Sequence, residues 1–125
     1  MSIFRRARGG PGRVSVQEAA ARTGHGGADG AVLVDVREPY EWQAGHAPRA
    51  VHLPLSALAA GAELPALAQA RPLVVICRSG NRSQRAAELL VARGCDAVDV
   101  IGGMQDWAGA GLPVVDGRGR NGIVA

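Results

Sequence analysis

The chain contains no lysine. All fourteen of its basic residues are arginine, so every cationic site in it has to be built on a guanidinium. Aromatic residues are also scarce, with one Phe, one Tyr and two Trp among 125 residues. That scarcity removes the stacking platforms on which single-stranded nucleic acid is held. The net charge of +3 is dispersed, with Arg5, Arg6, Arg8 and Arg13 near the start and Arg118 and Arg120 near the end. These arginines read as solubilising charge, and no nucleic-acid partner is expected. No apolar run approaches the ~18 residues of a membrane span, so no membrane partner is expected either. Met1-Ser2-Ile3-Phe4-Arg5-Arg6 lacks the apolar core of a secretory signal. Cysteine is limited to Cys77 and Cys95, at most one disulfide, and a reduced, cytoplasmic setting is the expected one.

What is present describes a soluble globular chain. It is 47% apolar and 20% charged, and its length suits a single core. Residues 1–13 read as a flexible basic arm, 14–115 as the folded domain and 116–125 as an irregular tail. Ser15 and Glu18 match an S-x-x-E capping box, which predicts a helix from Val16 to about Thr23. Residues 25–30 are a loop by composition, and Ala31-Val32-Leu33-Val34-Asp35-Val36 is a buried strand. Pro39 opens a short helix that closes near Gly45. Further strands are expected at 50–53, 73–76 and 97–100. Two short helical pieces are expected within 55–70, a clear amphipathic helix at 83–93 and a last helix around 104–110. This alternation predicts an α/β fold: a three-layer sandwich whose central sheet is mostly parallel and flanked by helices. Sites in such folds lie at the carboxyl ends of the strands.

Cys77 stands at such an end. It follows Leu73-Val74-Val75-Ile76 and opens Cys77-Arg78-Ser79-Gly80-Asn81-Arg82-Ser83, which runs into the predicted helix. A helix N-terminus and nearby arginines are the surroundings of reactive cysteines. Backbone N–H groups of a short loop can form an anion-binding nest, and Gly80 permits the positive φ that such a curve requires. Asn81 is expected to brace the loop through its side chain. Arg78 and Arg82 can each fork onto an oxyanion, and Ser83 offers a hydroxyl at the helix start. A buried, inert strand-end cysteine explains Ile76-Cys77 but not the polar run behind it. Cys77 is therefore read as the nucleophile.

The order of motifs resembles the single-domain rhodanese family over nearly the whole chain. The resemblance rests on Val34-Asp35-Val36-Arg37-Glu38, Gly45-His46-Ala47-Pro48 with Ala50, and Leu53-Pro54. The Cys77 loop follows, then Gly102-Gly103-Met104 with Trp107 and Gly111-Leu112-Pro113. It implies a sulfurtransferase that needs no metal or cofactor. Its cysteine takes the outer sulfur of thiosulfate as a persulfide and passes it to cyanide or a thiol, by covalent catalysis in two half-reactions. The implied partners are a small anionic sulfur donor and a thiol or protein acceptor. A sulfur-carrier or regulatory module serving one protein partner stays open. Phosphatase or arsenate-reductase activity is disfavoured, because Cys77 to Arg82 is Cys-x4-Arg, one residue shorter than the phosphatase loops related to it.

Other residues divide between chemistry and support. Asp35 and Arg37 read either as a loop-orienting carboxylate with an arginine at the substrate mouth, or as a structural ion pair. Glu38 and Glu41 read as charges favourable to a helix N-terminus. His46 reads as structural, and His25 and His52 lack metal-ligand spacing. Arg49 stands where the family often has Gly, which could add a cation near the site. A helix over 83–93 spans about 16 Å, beyond the ~7 Å reach of a disulfide, so Cys95 is expected to pack and not to pair with Cys77. Gly102-Gly103 reads as a tight turn, with Trp107 anchoring the helix that follows.

Overall fold

The computed structural model describes residues 11–24 and 30–125. His25, three of the four arginines in the expected arm and most of the loop at 25–30 lie outside the described residues. Among the described residues five strands form one sheet in the order β1-β5-β4-β2-β3, with every pairing parallel. They are β1 (Arg13–Val14), β2 (Val32–Asp35), β3 (Val51–His52), β4 (Leu73–Ile76) and β5 (Ala97–Val100). The helices are α1 (Val16–Thr23), α2 (Pro39–Ala44), α3 (Leu55–Ala59), α4 (Arg82–Ala92) and α5 (Gly103–Gly109), with a 3-10 turn at Ala66–Ala68. The three-layer α/β sandwich is the architecture the alternation predicts.

Strand periodicity sorts the core into two clusters. Leu33, Val74, Ile76, Val98 and Val100 pack with Val16 and Ala19 of α1 and with Met104 and Trp107 of α5. Val34, Leu73, Val75, Cys77 and Ala97 pack on the other face with Leu58 of α3 and with Ala86, Ala87 and Leu90 of α4. Each large apolar side chain buried this way contributes about 1.5–3 kcal/mol. The sorting also places the chemistry. Asp35 pairs in register with Ile76 and so shares the α1/α5 face, whereas Cys77, one residue on, faces α4.

The sequence missed β1, two residues too short to carry a pattern, and assigned Arg13 to the arm. Ser15 caps α1 by accepting from the Glu18 N–H at 3.1 Å, but the Glu18 carboxylate is taken by Arg22. The C-terminal segment is irregular but docked on the domain. Val115 bridges to His46 and to Asn121, the Ile123 N–H donates to the Ala44 carbonyl, and Arg78 Nε donates to the Ala125 carbonyl at 2.8 Å. Gly45 makes this approach possible, since a Cβ there would lie 2.7 Å from the Ile123 nitrogen. Among the described residues no helix is long and apolar enough to cross a membrane.

Candidate active site

β4 delivers Cys77 to the carboxyl edge of the sheet, and the loop 78–81 curls from it into α4. Cys77 is 1% exposed, while Arg78, Ser79 and Asn81 are exposed around it. The Gly80 N–H donates to Cys77 Sγ at 3.2 Å. Gly80 has φ +99°, and a Cβ on it would lie 3.0 Å from the Gly102 nitrogen. Only glycine suits that position. The Cys77 thiol donates to Ser83 Oγ at 3.3 Å, and the Ser83 hydroxyl donates to Asp99 Oδ2 at 2.8 Å.

The loop is braced from three sides, none of them the expected one. Asn81 has φ −94° and makes no side-chain cap to α4. The Gly80 carbonyl instead accepts from Arg13 Nη2 at 2.8 Å and from Gln84 Nε2 at 2.9 Å. The Gly102-Gly103 turn supplies the third brace. It starts α5 so that the Met104 and Gln105 N–H groups reach the carbonyls of Cys77 and Arg78, at 2.7 and 2.9 Å. Gly103 has φ +56°, and a Cβ there would lie 2.7 Å from the Arg78 carbonyl oxygen.

The three candidate cations stand differently. The Arg78 side chain is exposed and, among the described residues, donates to the Ala125 carbonyl. Arg82 is half-buried and forked onto Glu41, at 2.7 and 2.8 Å. The Arg82 hydrogen bond holds the Glu41 carboxyl below its usual range, and the same bond raises Arg82, with a smaller contribution from Cys77. Of the two readings left open for Arg37, the geometry favours the structural ion pair. It is wholly buried and bonds Asp35 through Nε and Nη2 and the Gly45 carbonyl at 2.6 Å. Asp35 and Arg37 thus form an internal ion pair that ties β2 to the α2 exit, on the far face of the sheet from Cys77. Arg37 Nη1 is buried and has no hydrogen-bond partner among the described residues.

Arg49 adds no charge at Cys77. It lines a cavity of about 200 Å³ with Leu33, Trp107 and Leu112 on the α1/α5 face. His46 Nδ1 lies 2.7 Å from the Trp42 carbonyl, and its ring stacks on Trp42 at 3.6 Å, a structural placement. Cys95 is free and half-buried beyond the far end of α4, and burial pushes its thiol up.

The sequence reading missed the place of three residues at the site: Glu41, Asp99 and Arg13. The signal for Asp99 was visible, since it is the one carboxylate in an otherwise apolar strand. Its partner Arg13 lies 86 positions away, and no local pattern joins them.

Comparison with known proteins shows the family. Residues 15–110 match the model of the rhodanese-like domain. Thiosulfate sulfurtransferase GlpE of Pseudomonas savastanoi pv. phaseolicola is 45% identical over 82 residues, covering 62% of this chain and 73% of that protein. A rhodanese-related protein from Thermoplasma volcanium superposes with a TM-score of 0.66 at 30% identity, covering 83% of this chain and 97% of its own. A protein of unknown function from Rhodopseudomonas palustris, described as a possible tyrosine phosphatase, superposes with a TM-score of 0.70 at 25% identity, covering 82% and 83%. The chain belongs to the rhodanese-like domain family and is a sulfurtransferase by class.

Proposed function

We propose that the protein moves sulfane sulfur from thiosulfate to a thiophilic acceptor through a persulfide on Cys77. The observation that carries this reading is the setting of one sulfur atom. Cys77 Sγ sits within a short loop, takes the Gly80 N–H, contacts Ser83 and lies at the start of α4. In the first half-reaction the Cys77 thiolate attacks the outer sulfur of thiosulfate. A Cys77 S–S bond forms, the thiosulfate S–S bond breaks, and sulfite leaves with the electron pair. In the second, cyanide or a thiolate attacks the outer sulfur, and Cys77 leaves as the thiolate. The loop N–H of Gly80 and the positive end of α4 favour the sulfur anion in both.

The donor's charge is met first by Arg78, which is exposed beside the loop. Arg82 contributes its field but is held by Glu41, so its main work is to fix α2 against the start of α4. Ser79 and Asn81 line the mouth through the backbone of the loop, with the Ser83 hydroxyl beneath it. Asp35 supports the sheet edge through Arg37. A short loop favours sulfane sulfur over a phosphate ester. The acceptor is taken to be a small thiol or a protein thiol in a reducing, cytoplasmic compartment.

The test is a sulfur-transfer assay from thiosulfate to cyanide. Cys77→Ala should lose all measurable activity, and full activity in that variant would refute the assignment. Aryl phosphate hydrolysis that depends on Cys77 would point to the phosphatase chemistry instead.

A further inference from the structure

We infer that Asp99 is a positioning residue that sets the reactivity of Cys77 through the Ser83 hydroxyl, and that Arg13 sets how strongly Asp99 acts. The inference rests on Cys77 being the nucleophile but not on the identity of donor or acceptor. Four groups from four elements stand in one line. Arg13 of β1 pairs with Asp99, Nε to Oδ1 at 2.9 Å and Nη2 to Oδ2 at 3.2 Å. Asp99 of β5 accepts from Ser83 Oγ of α4 at 2.8 Å, and Ser83 Oγ accepts from the thiol that follows β4. Asp99 is 1% exposed and Ser83 is 0% exposed, while the Arg13 side chain is 36% exposed.

A hydroxyl has one hydrogen. While Asp99 holds it, Ser83 turns a lone pair toward Cys77 Sγ. That arrangement suits a protonated thiol, which can donate, and opposes a thiolate or persulfide anion, which can only accept. When the sulfur ionises, the hydroxyl must rotate from Asp99 toward the sulfur. Arg13 then still covers both carboxylate oxygens, so the buried charge is not left bare. Asp99 therefore restrains Cys77 in its resting form, and Arg13 weakens that restraint. The other charges around the sulfur are Arg78 in the loop, Arg82 of α4 with Glu41 and Tyr40 of α2 around it, and the Asp35–Arg37 pair on the opposite sheet face. None of these bonds Ser83 among the hydrogen bonds seen.

The opposite action of Asp99 and Arg13 separates this role from a merely structural one. Removing either would loosen the same loop, but only a positioning role moves Cys77 in opposite directions. The measurement is the pH dependence of iodoacetamide alkylation of Cys77, made in a Cys95→Ala background with no sulfur donor present. Asp99→Asn should lower the pH of half-maximal rate, and Arg13→Gln should raise it, each by about half a unit or more. Arg13→Lys should return the profile toward the parent. In a Ser83→Ala background the Asp99→Asn shift should shrink. Thermal melts identify a variant that fails to fold, and the half-exposed Arg13 provides the test should Asp99→Asn be one. Shifts of the same sign, or no shift in either variant, would overturn the inference, as would an Asp99→Asn shift undiminished without the Ser83 hydroxyl. Because no donor is present, failure here is distinct from failure of the sulfur-transfer assay.

Discussion

The helix α4 has a cysteine beyond each end, and the two differ in almost everything but chemistry. Cys77 precedes the N-terminus, where unpaired N–H groups favour an anion, and Cys95 follows the C-terminus, where carbonyls oppose one. Cys77 is the more buried of the two, yet its sulfur faces the Gly80 N–H and the charge of Arg82. Cys95 is half-buried, and desolvation pushes its thiol above the ordinary value of 9.0, with Arg93 opposing this more weakly. Burial alone thus does not decide whether a thiol is reactive. What decides it is which end of the helix it meets and whether loop donors and cations face it.

The widest test of that contrast is to remove each sulfur in turn. Cys77→Ala should abolish sulfur transfer, whereas Cys95→Ala should leave kcat/KM within about twofold, since a surface-side packing change away from the site is worth little. Equal losses from the two would break the comparison. Next in size is Gly103→Ala, which places a methyl group against the Cys77 and Arg78 carbonyls and forces a β-carbon into left-handed backbone. We expect it to cost about 1–2 kcal/mol from the backbone alone, read as a lower Tm. Activity should fall further than folding, because the loop itself is displaced.

The arginines sharpen the contrast further. Arg78→Ala should raise KM for thiosulfate about tenfold with little change in Tm, if the proposed role of its charge in meeting the donor holds. Arg82→Ala should do the reverse. It strands Glu41, 3% exposed, and should lower stability by about 1–3 kcal/mol, discounted for the exposed side of the pair. Its KM effect should be the smaller one.

The mildest effect is one of pH. Glu41 is held below its ordinary value of 4.5, chiefly by its hydrogen bond to Arg82. A depressed carboxylate stabilises the fold fully above the unfolded value, and that contribution is lost as pH falls through the folded one. Melts of the parent protein should therefore decline below about pH 4.5. Glu41→Gln should start lower and show a shallower decline. A parallel acid decline in both proteins would mean that the Glu41–Arg82 pair contributes nothing.

The sequence made some of this legible and hid the rest for identifiable reasons. Strands β2, β4 and β5 and helix α4 carry strong periods, and the Cys77 loop carries its own chemistry in adjacent residues. Contacts that close across the sheet are different. Arg82 and Glu41 are 41 positions apart, and Arg13 and Asp99 are 86 apart. Each of these residues had a sufficient local explanation as loop cation, helix-start charge, arm charge or strand carboxylate. Arg37 was left open for a related reason. The sequence places it at the same sheet edge as Cys77, but the register of Asp35 with Ile76 sets the pair on the other face.

The central claim is that Cys77 works alone as a sulfur carrier, and intact-mass spectrometry tests it most directly. After incubation with thiosulfate and removal of excess donor, the protein should gain about 32 Da, one sulfur atom, mapped to Cys77. Adding cyanide should return it to the starting mass. No gain, a gain that persists in Cys77→Ala, or a loss of two hydrogens from a Cys77–Cys95 disulfide would contradict the account.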